Sequence, residues 1–262
     1  MTRQTAIVLA AGKGTRMKSD LPKVLVPVCA RPMIEYVLDT LEAAGFDRIL
    51  AVVGYRSDLV RQRLADRRNV TFVEQTQQLG TGHAVMMCRE ALAERCDQAT
   101  SEPVLIVAGD SPMLQRDSVA ELLDEFRRTR PACLLGTARK ENPRGLGRIV
   151  RGADGSFNAI VEEKDATSEQ RKITEVNMST YVFNCRDLLM ALERLRAENA
   201  QGEYYLTDCP GILHRAGRPV AAITVLKPME TLSINTPEEL AVVEEAMHTS
   251  RAASAPSQHR NP

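Results

Sequence analysis

The chain has 262 residues, 44 % of them hydrophobic, which allows one large α/β domain or two small ones around a sizeable core. Its 34 Lys plus Arg balance its 34 Asp plus Glu, so no global field draws it to nucleic acid or to an anionic membrane, and any anion site has to be local. Six scattered cysteines without a Cys-x-x-Cys spacing, and no apolar run near the ~20 residues that span a bilayer, lead to the expectation of a soluble cytoplasmic protein with reduced thiols.

The first apolar run, 6–9, reads as a strand that opens into Leu9-Ala10-Ala11-Gly12-Lys13-Gly14-Thr15-Arg16-Met17, followed by Leu21-Pro22-Lys23. Gly12 and Gly14 permit backbone angles closed to other residues and let amide groups approach phosphate oxygens. Lys13, Arg16 and Lys23 add positive charge, and Pro22 restricts where the Lys23 ammonium can go. Spacing excludes two familiar phosphate loops: a P-loop has four residues between its first Gly and Gly-Lys-Ser/Thr, and the dinucleotide fingerprint has a third Gly where this chain has Met17. Taken alone, the loop is equally a Gly-rich turn with solvated cations.

Runs at 49–53, 70–73 and 104–107 read as further buried parallel strands. Between them Pro32 is the expected first residue of a helix, with Ile34, Val37, Leu38 and Leu41 on its apolar face and Gly45 as its stop. Ala84, Val85, Cys88, Ala91 and Leu92 make another helical pattern, and Ser118 with Glu121 a capping box ahead of Val119, Leu122, Leu123 and Phe126. This alternation implies a doubly wound sheet with ligands at the carboxyl ends of its strands. After Cys133 the pattern changes to strands joined by loops (133–137, 148–150, 159–162, 180–183), then a helix with Leu188, Leu189, Leu192 and Leu195 on one face. A closing helix begins at Thr236, with Pro237 and Glu239 in capping positions. The expected organisation is one domain over 1–247, in parts 1–132, 133–235 and 236–247, with a disordered tail at 248–262. No repeat of 20 to 50 residues is present.

Asp110 stands directly beyond the 104–107 strand, where a carboxylate suits a divalent cation that bridges phosphates; an Asp there also caps turns, here toward Ser111-Pro112. Asn235, just before the closing helix, is either a ligand or a loop residue that satisfies its own backbone. Gln75 and Leu79-Gly80-Thr81-Gly82-His83-Ala84 follow the third strand, and a Gln amide beside backbone groups matches the donor and acceptor edge of a pyrimidine. His83 is expected to be structural, because attack by a phosphate oxygen on a phosphate ester needs little proton transfer at neutral pH. The 162–167 segment (Glu-Glu-Lys-Asp-Ala-Thr) and Asn177 carry groups suited to sugar hydroxyls and an acetamido group, or to a solvated surface.

With these segments in one order, the chain from about 6 to 247 resembles the uridylyltransferase domain of bacterial N-acetylglucosamine-1-phosphate uridylyltransferases. Gln-Leu-Gly-Thr-Gly-His-Ala (78–84), Glu-Lys-Asp-Ala-Thr (163–167) and Gln-Gly-Glu-Tyr-Tyr-Leu-Thr-Asp (201–208) carry the resemblance; the opening motif is shared more widely among sugar nucleotidyltransferases. It implies a Rossmann-like nucleotide-diphospho-sugar transferase fold: a central, mostly parallel mixed sheet flanked by helices, with a smaller β-rich part for the sugar. Nucleotide contacts then fall on Leu9, Ala10, Ala11, Gly12, Gly14, Lys23, Gln75, Gly80 and Thr81. Sugar contacts fall on Gly109, Gly147, Glu162 and Asn177, Mg²⁺ ligands on Asp110 and Asn235, and catalytic cations on Arg16 and Lys23.

The implied substrates are UTP and N-acetyl-α-D-glucosamine 1-phosphate, the products UDP-N-acetylglucosamine, a cell-wall precursor, and pyrophosphate. Three departures surround the sugar. Ala108-Gly109-Asp110 stands where the family commonly has Tyr-Gly-Asp, Leu146-Gly147-Arg148 for Tyr-Gly-Arg, and Asn177-Met178-Ser179 for Asn-Thr-Gly. They leave glucose or N-acetylgalactosamine 1-phosphate as alternative acceptors, and a non-catalytic nucleotide-sugar sensor as an alternative of another class. No hexapeptide repeat follows, so the acetyltransferase activity that usually accompanies this domain is expected to be missing.

Overall fold

A computed structural model of the protein describes residues 4–94, 96 and 102–254, the last four as backbone alone. The first half runs β1 (Thr5–Ala10), β2 (Pro27–Val28), β3 (Arg31–Pro32), α1 (Met33–Ala43), β4 (Arg48–Val53), α2 (Ser57–Arg63), β5 (Val70–Glu74), α3 (Thr81–Met86), α4 (Arg89–Ala93), β6 (Pro103–Ala108) and α5 (Arg116–Thr129). The second half runs β7 (Cys133–Arg139), β8 (Arg148–Arg151), β9 (Phe157–Val161), β10 (Glu175–Asn184), α6 (Cys185–Arg194), α7 (Asp208–Arg215), β11 (Val220–Thr224) and α8 (Pro237–Ser254).

The apolar runs of the first half form the parallel side of one mixed sheet, ordered β11-β7-β10-β6-β1-β4-β5, with β8 and β9 attached beside β10. Ala6, Ile7 and Val8 of β1 are fully buried, as both faces of a central parallel strand require. One face packs on α1 and α5 through Val37, Leu38, Leu41, Leu122 and Phe126, the other on α3, α6 and α7 through Val85, Leu188 and Leu213. Each such side chain contributes about 1.5–3 kcal/mol on burial. The register pairs Leu9 of β1 with Ala108 of β6 and with Val52 of β4, so the loops that leave β1 and β6 lie side by side at the carboxyl edge. There Gly109 N donates to the Leu9 carbonyl at 2.9 Å.

β10 breaks the parallel pattern. It runs antiparallel between β6 and β7, and its pairing with β7 shifts between Asn177 and Thr180. That irregularity faces the carboxyl edge of β6, where the site lies.

Four local expectations are corrected. Pro32 lies in β3 and is the N-cap of α1, not its first helical residue: its ψ of 137° is extended. Ser118 sits inside α5, not at its cap; the N-cap is Gln115, and the buried carboxylate of Glu230 accepts from Gln115 N at 2.9 Å and from Ser118 Oγ at 2.6 Å. The helix expected over 84–92 is two helices, α3 and α4, with a turn at 87–88. The tail expected to be disordered from 248 begins as helix: α8 continues to Ser254, because Met247 is anchored in the core and Arg and Ala behind it favour helix. Residues 255–262 of that tail lie outside the described residues.

Candidate active site

At the carboxyl edge of the sheet two cavities adjoin. The larger, about 420 Å³, opens between the β1 loop, the 75–81 segment and Glu203; the smaller, about 250 Å³, lies between the β6 loop, the 144–146 and 177–179 segments and the strand-to-helix loop before α8. Lys23, Ala108, Asp110 and Ser179 line both, and therefore form the seam between them.

The larger cavity is built by glycine-permitted backbone. Gly12 lines it with nothing within 4 Å of where a Cβ would stand, so any side chain there would protrude into the space. Gly14 is left-handed (φ 66°) and packs on Lys23, whose Cβ lies 2.6 Å from the position of an added Cβ. Gly80 (φ 108°) approaches Tyr204 so closely that a Cβ would stand 2.6 Å from its carbonyl oxygen. Hydrogen bonds from Gly82 N to the Tyr204 carbonyl (2.7 Å), from Tyr204 N to the Leu79 carbonyl (2.8 Å) and from Leu206 N to Thr81 Oγ1 (3.1 Å) join the 79–82 loop to the 203–206 segment.

Gln75 is buried on this wall. Its Nε2 donates to the Gly80 carbonyl at 3.0 Å and stands 3.0 Å from His83 Nδ1, so that ring nitrogen is the acceptor. His83 thus supports Gln75 from within the wall.

The seam is ionic. Lys23 Nζ is ion-paired to Asp110 Oδ2 and donates to Asn235 Oδ1 at 2.9 Å, while Arg16 Nη2 donates to the same oxygen at 3.1 Å. Glu239 accepts from Asn235 N at 2.6 Å and from Asn235 Nδ2 at 3.1 Å, which turns the amide oxygen toward the cations. The two expected metal ligands thus share one protein cation, and an ammonium occupies the oxygens that a metal would take. Hard oxygen donors, two from the protein, suit a small divalent ion that draws its other ligands from phosphate and water. No group of three His, Cys, Asp or Glu able to hold a metal occurs among the described residues.

Of the expected nucleotide contacts, Leu9, Ala11, Gly12, Lys23, Gln75, Gly80 and Thr81 line the larger cavity. Ala10 points into the core and Gly14 forms the turn behind Lys23. Lys13 lines neither cavity; its ammonium lies 5.1 Å from the centre of the Tyr55 ring.

On the sugar side, Asn177 lines the smaller cavity but is only 5 % exposed: Nδ2 donates to Tyr181 Oη at 2.7 Å and Oδ1 accepts from Ser179 N at 3.3 Å. Gly147 and Glu162 line neither cavity. They adjoin each other, with Glu162 Oε1 3.5 Å from a Cβ placed on Gly147, and Glu162 accepts from Thr207 Oγ1 at 2.9 Å. Burial pushes the Glu162 carboxyl above the usual carboxylate range, against the Thr207 hydrogen bond. Gly109 packs beneath the seam against the Leu9 carbonyl. Buried Arg148 ties the 144–147 loop to this region, donating through Nη1 to the Leu146 carbonyl and through Nη2 to Glu163 at 2.6 Å.

Sequence reasoning missed Arg144, which lies in a turn and lines the smaller cavity with no side-chain partner among the described residues; Ser179, singled out in the sequence only within the Asn177-Met178-Ser179 departure and not as a site residue, lines both cavities.

Residues 6–208 match the family model described as a MobA-like NTP transferase domain. The chain is 43% identical over 242 residues to a "Bifunctional protein GlmU" of Streptococcus agalactiae, covering 92% of this chain and 51% of that protein. It is 41% identical over 247 residues to the protein of the same name from Halalkalibacterium halodurans, covering 94% and 53%. The chain thus spans about half the length of the curated relatives it matches. Among solved structures, the crystal structure of UDP-glucose pyrophosphorylase complexed with UDP-glucose superposes with a TM-score of 0.73 at 17% identity, over 95% of this chain and 100% of that one, a likeness of fold. A mostly parallel mixed sheet, a glycine-built cavity at its carboxyl edge and a family match over most of the length lead to one conclusion: the chain belongs to the MobA-like NTP transferase domain family.

Proposed function

We propose that this chain is a uridylyltransferase that makes UDP-N-acetylglucosamine and pyrophosphate from UTP and N-acetyl-α-D-glucosamine 1-phosphate. The observation that carries the reading is the seam: the Lys23 ammonium, bound to Asp110 and Asn235, stands where two cavities meet, and the reaction has to bring two anions together at one point. The curated relatives, named for a bifunctional GlmU, support it over nine tenths of this chain. On this reading 1–132 forms the donor part, 133–235 the acceptor part and α8 closes the site behind Asn235.

An oxygen of the sugar phosphate attacks the α-phosphorus of UTP in line. The new oxygen–phosphorus bond forms as the bond to the β-phosphate bridge breaks, and the electron pair leaves with pyrophosphate. No proton has to move at neutral pH, so the work of the protein is positioning and charge stabilisation. Gly12 leaves room for the triphosphate, Gln75 and Gly80 frame the base, and Lys23 and Arg16 meet the charge that develops on the phosphates. The family's divalent metal we read as Mg²⁺; Asp110 and Asn235 would hold it, it would neutralise phosphate charge, and the Lys23 ammonium would then face the phosphates instead of those two side chains. Among the described residues no helix is long and apolar enough to cross a membrane, and we infer that the protein works in the cytoplasm on soluble substrates.

A second acceptor is favoured by one observation: Ala108, Leu146 and Met178 replace polar or hydroxyl-bearing family residues on the wall of the smaller cavity. A pyrophosphate-release matrix of nucleotides against N-acetylglucosamine, N-acetylgalactosamine and glucose 1-phosphates tests both readings. The first predicts the highest kcat/KM for UTP with N-acetylglucosamine 1-phosphate. A higher value for another sugar establishes the second, and no release with any pair refutes both.

A further inference from the structure

Six non-glycine residues adopt positive φ among the described residues: Lys18, Cys29, Ala30, Arg56, Arg130 and Ser179. Five lie in turns or at helix ends, where such conformations are ordinary. Ser179, at φ 53°, lies inside strand β10.

The strand pays for this in pairing. On β7, Thr137 and Gly136 are adjacent, yet their partners on β10 are Asn177 and Thr180, so Met178 and Ser179 are extruded from the ladder. Such bulges re-aim side chains near functional sites. The extrusion is held from inside: Asn177 Oδ1 accepts from Ser179 N at 3.3 Å, Asn177 Nδ2 donates to the buried Tyr181 hydroxyl at 2.7 Å, and Thr180 Oγ1 donates to the Met178 carbonyl at 3.3 Å. The result brings Ser179 to the seam, lining both cavities with Lys23, Ala108 and Asp110.

Glycine would meet this backbone conformation without steric cost. What serine adds is one hydroxyl, on the lining shared with the ion pair; it also hydrogen-bonds the buried Tyr181 hydroxyl, and as both donor and acceptor it keeps capacity for a second partner. Among its neighbours on the wall, Ala108, Leu146 and Met178 offer no N–H or O–H in their side chains, and both amide groups of Asn177 are committed to internal partners, while the polar groups of Ser111, Arg144 and Ser233 lie on other segments of the cavity. A strained residue at a functional seam points from the outlier to a role there.

We propose that Ser179 is a specificity-determining residue whose hydroxyl hydrogen-bonds a hydroxyl or amide group of the sugar on the acceptor. The proposal rests on the uridylyltransferase reading for the identity of the acceptor. It assigns to Ser179 the polar contact that buried Asn177 does not offer outward, and it makes β10 an element that reads the substrate as well as one that fills the sheet.

The test uses the full chain and equilibrium binding, so that it does not depend on turnover. Ser179→Ala keeps the strained backbone and removes the hydroxyl; Ser179→Gly removes the hydroxyl and the strain. Calorimetric titration with UDP-N-acetylglucosamine and, separately, with UMP should show both variants losing about tenfold in affinity for the nucleotide sugar, the scale of one hydrogen bond, with UMP affinity unchanged. Ser179→Gly should also melt at a higher temperature than Ser179→Ala, which confirms that it is folded and relieved. Unchanged nucleotide-sugar affinity in both variants, equal loss for UMP, loss in the Gly variant alone, or a wild-type protein that binds the nucleotide sugar no better than UMP would each overturn the proposal. Failure of the uridylyltransferase reading is seen separately, as a wild-type protein that binds the nucleotide sugar but releases no pyrophosphate.

Discussion

Lys23 and Asn235 lie 212 residues apart in the chain, yet Lys23 Nζ donates to Asn235 Oδ1 at 2.9 Å, so the first loop of the protein is fastened to the loop before its last helix. Asp110 completes the contact from the β6 edge. Three loops therefore converge on one ammonium, and substitutions at that point probe the chemistry most directly.

Lys23→Ala should lower kcat by about 10²–10³, the scale for losing one preorganised electrostatic contact in a shielded site. Steady-state kinetics separate the two roles open to it. A fall in kcat with little change in the KM for UTP assigns Lys23 to the transition state; a rise in KM alone assigns it to uniform binding of the triphosphate.

Asp110→Asn keeps the size of the side chain and removes the charge. It should depress turnover by at least about 10² and raise the Mg²⁺ concentration required, since a neutral amide is a poorer ligand for a hard cation. Titration of the rate with Mg²⁺ checks this. A variant with the wild-type Mg²⁺ profile and full rate would show that Asp110 only pairs with Lys23.

Glu230 is buried and gathers donors from Gln115 N, Ser118 Oγ and Lys227 N, at 2.9, 2.6 and 2.8 Å. Glu230→Ala would strand all three and uncap α5, at a cost of about 2–4 kcal/mol. Denaturant unfolding measures it, and a loss under 1 kcal/mol would mean that water replaces the carboxylate.

That contact also illustrates what the sequence could reveal. The strands β1, β4 and β6 were legible because unbroken apolar runs are the signature of a strand buried on both faces; β5, expected to be buried in the same way, is parallel but forms the edge of the sheet and has no buried residue, because no further strand covers it. The glycine loop was legible because its chemistry is local. The cap of α5 was not: Ser118 and Glu121 have the spacing of a capping box, but the carboxylate that does the work comes from residue 230, a partner that no local pattern announces. For the same reason the antiparallel insertion of β10 between β6 and β7 could not be read from order along the chain. At Asn177 the residue type was legible but its orientation was not, since the buried Tyr181 hydroxyl takes up the amide.

Glu162 supplies a pH test. Burial pushes its carboxyl up, the Thr207 hydrogen bond pulls it down, and Asp208 and Asp165 add to the rise. A carboxyl raised in the folded state binds its proton more tightly there than in the unfolded chain. Its favourable contribution is therefore full below the ordinary carboxylate range and is lost as pH rises through the raised value. Glu162→Gln, which mimics the protonated form and can still accept from Thr207, should be more stable than wild type at pH 8 and similar to it at pH 4. Equal unfolding free energies at both pH values would argue against the shift.

The central claim is that UTP and a sugar 1-phosphate exchange a uridylyl group at the Lys23–Asp110 seam. Phosphorus NMR of the wild-type protein with UTP, N-acetylglucosamine 1-phosphate and Mg²⁺ tests it most directly. The account predicts that the paired diphosphate signals of UDP-N-acetylglucosamine and the pyrophosphate signal grow together in a one-to-one ratio, only when both substrates are present. Inorganic phosphate or UMP formed from UTP alone, or an unchanged spectrum with every sugar phosphate offered, would contradict it.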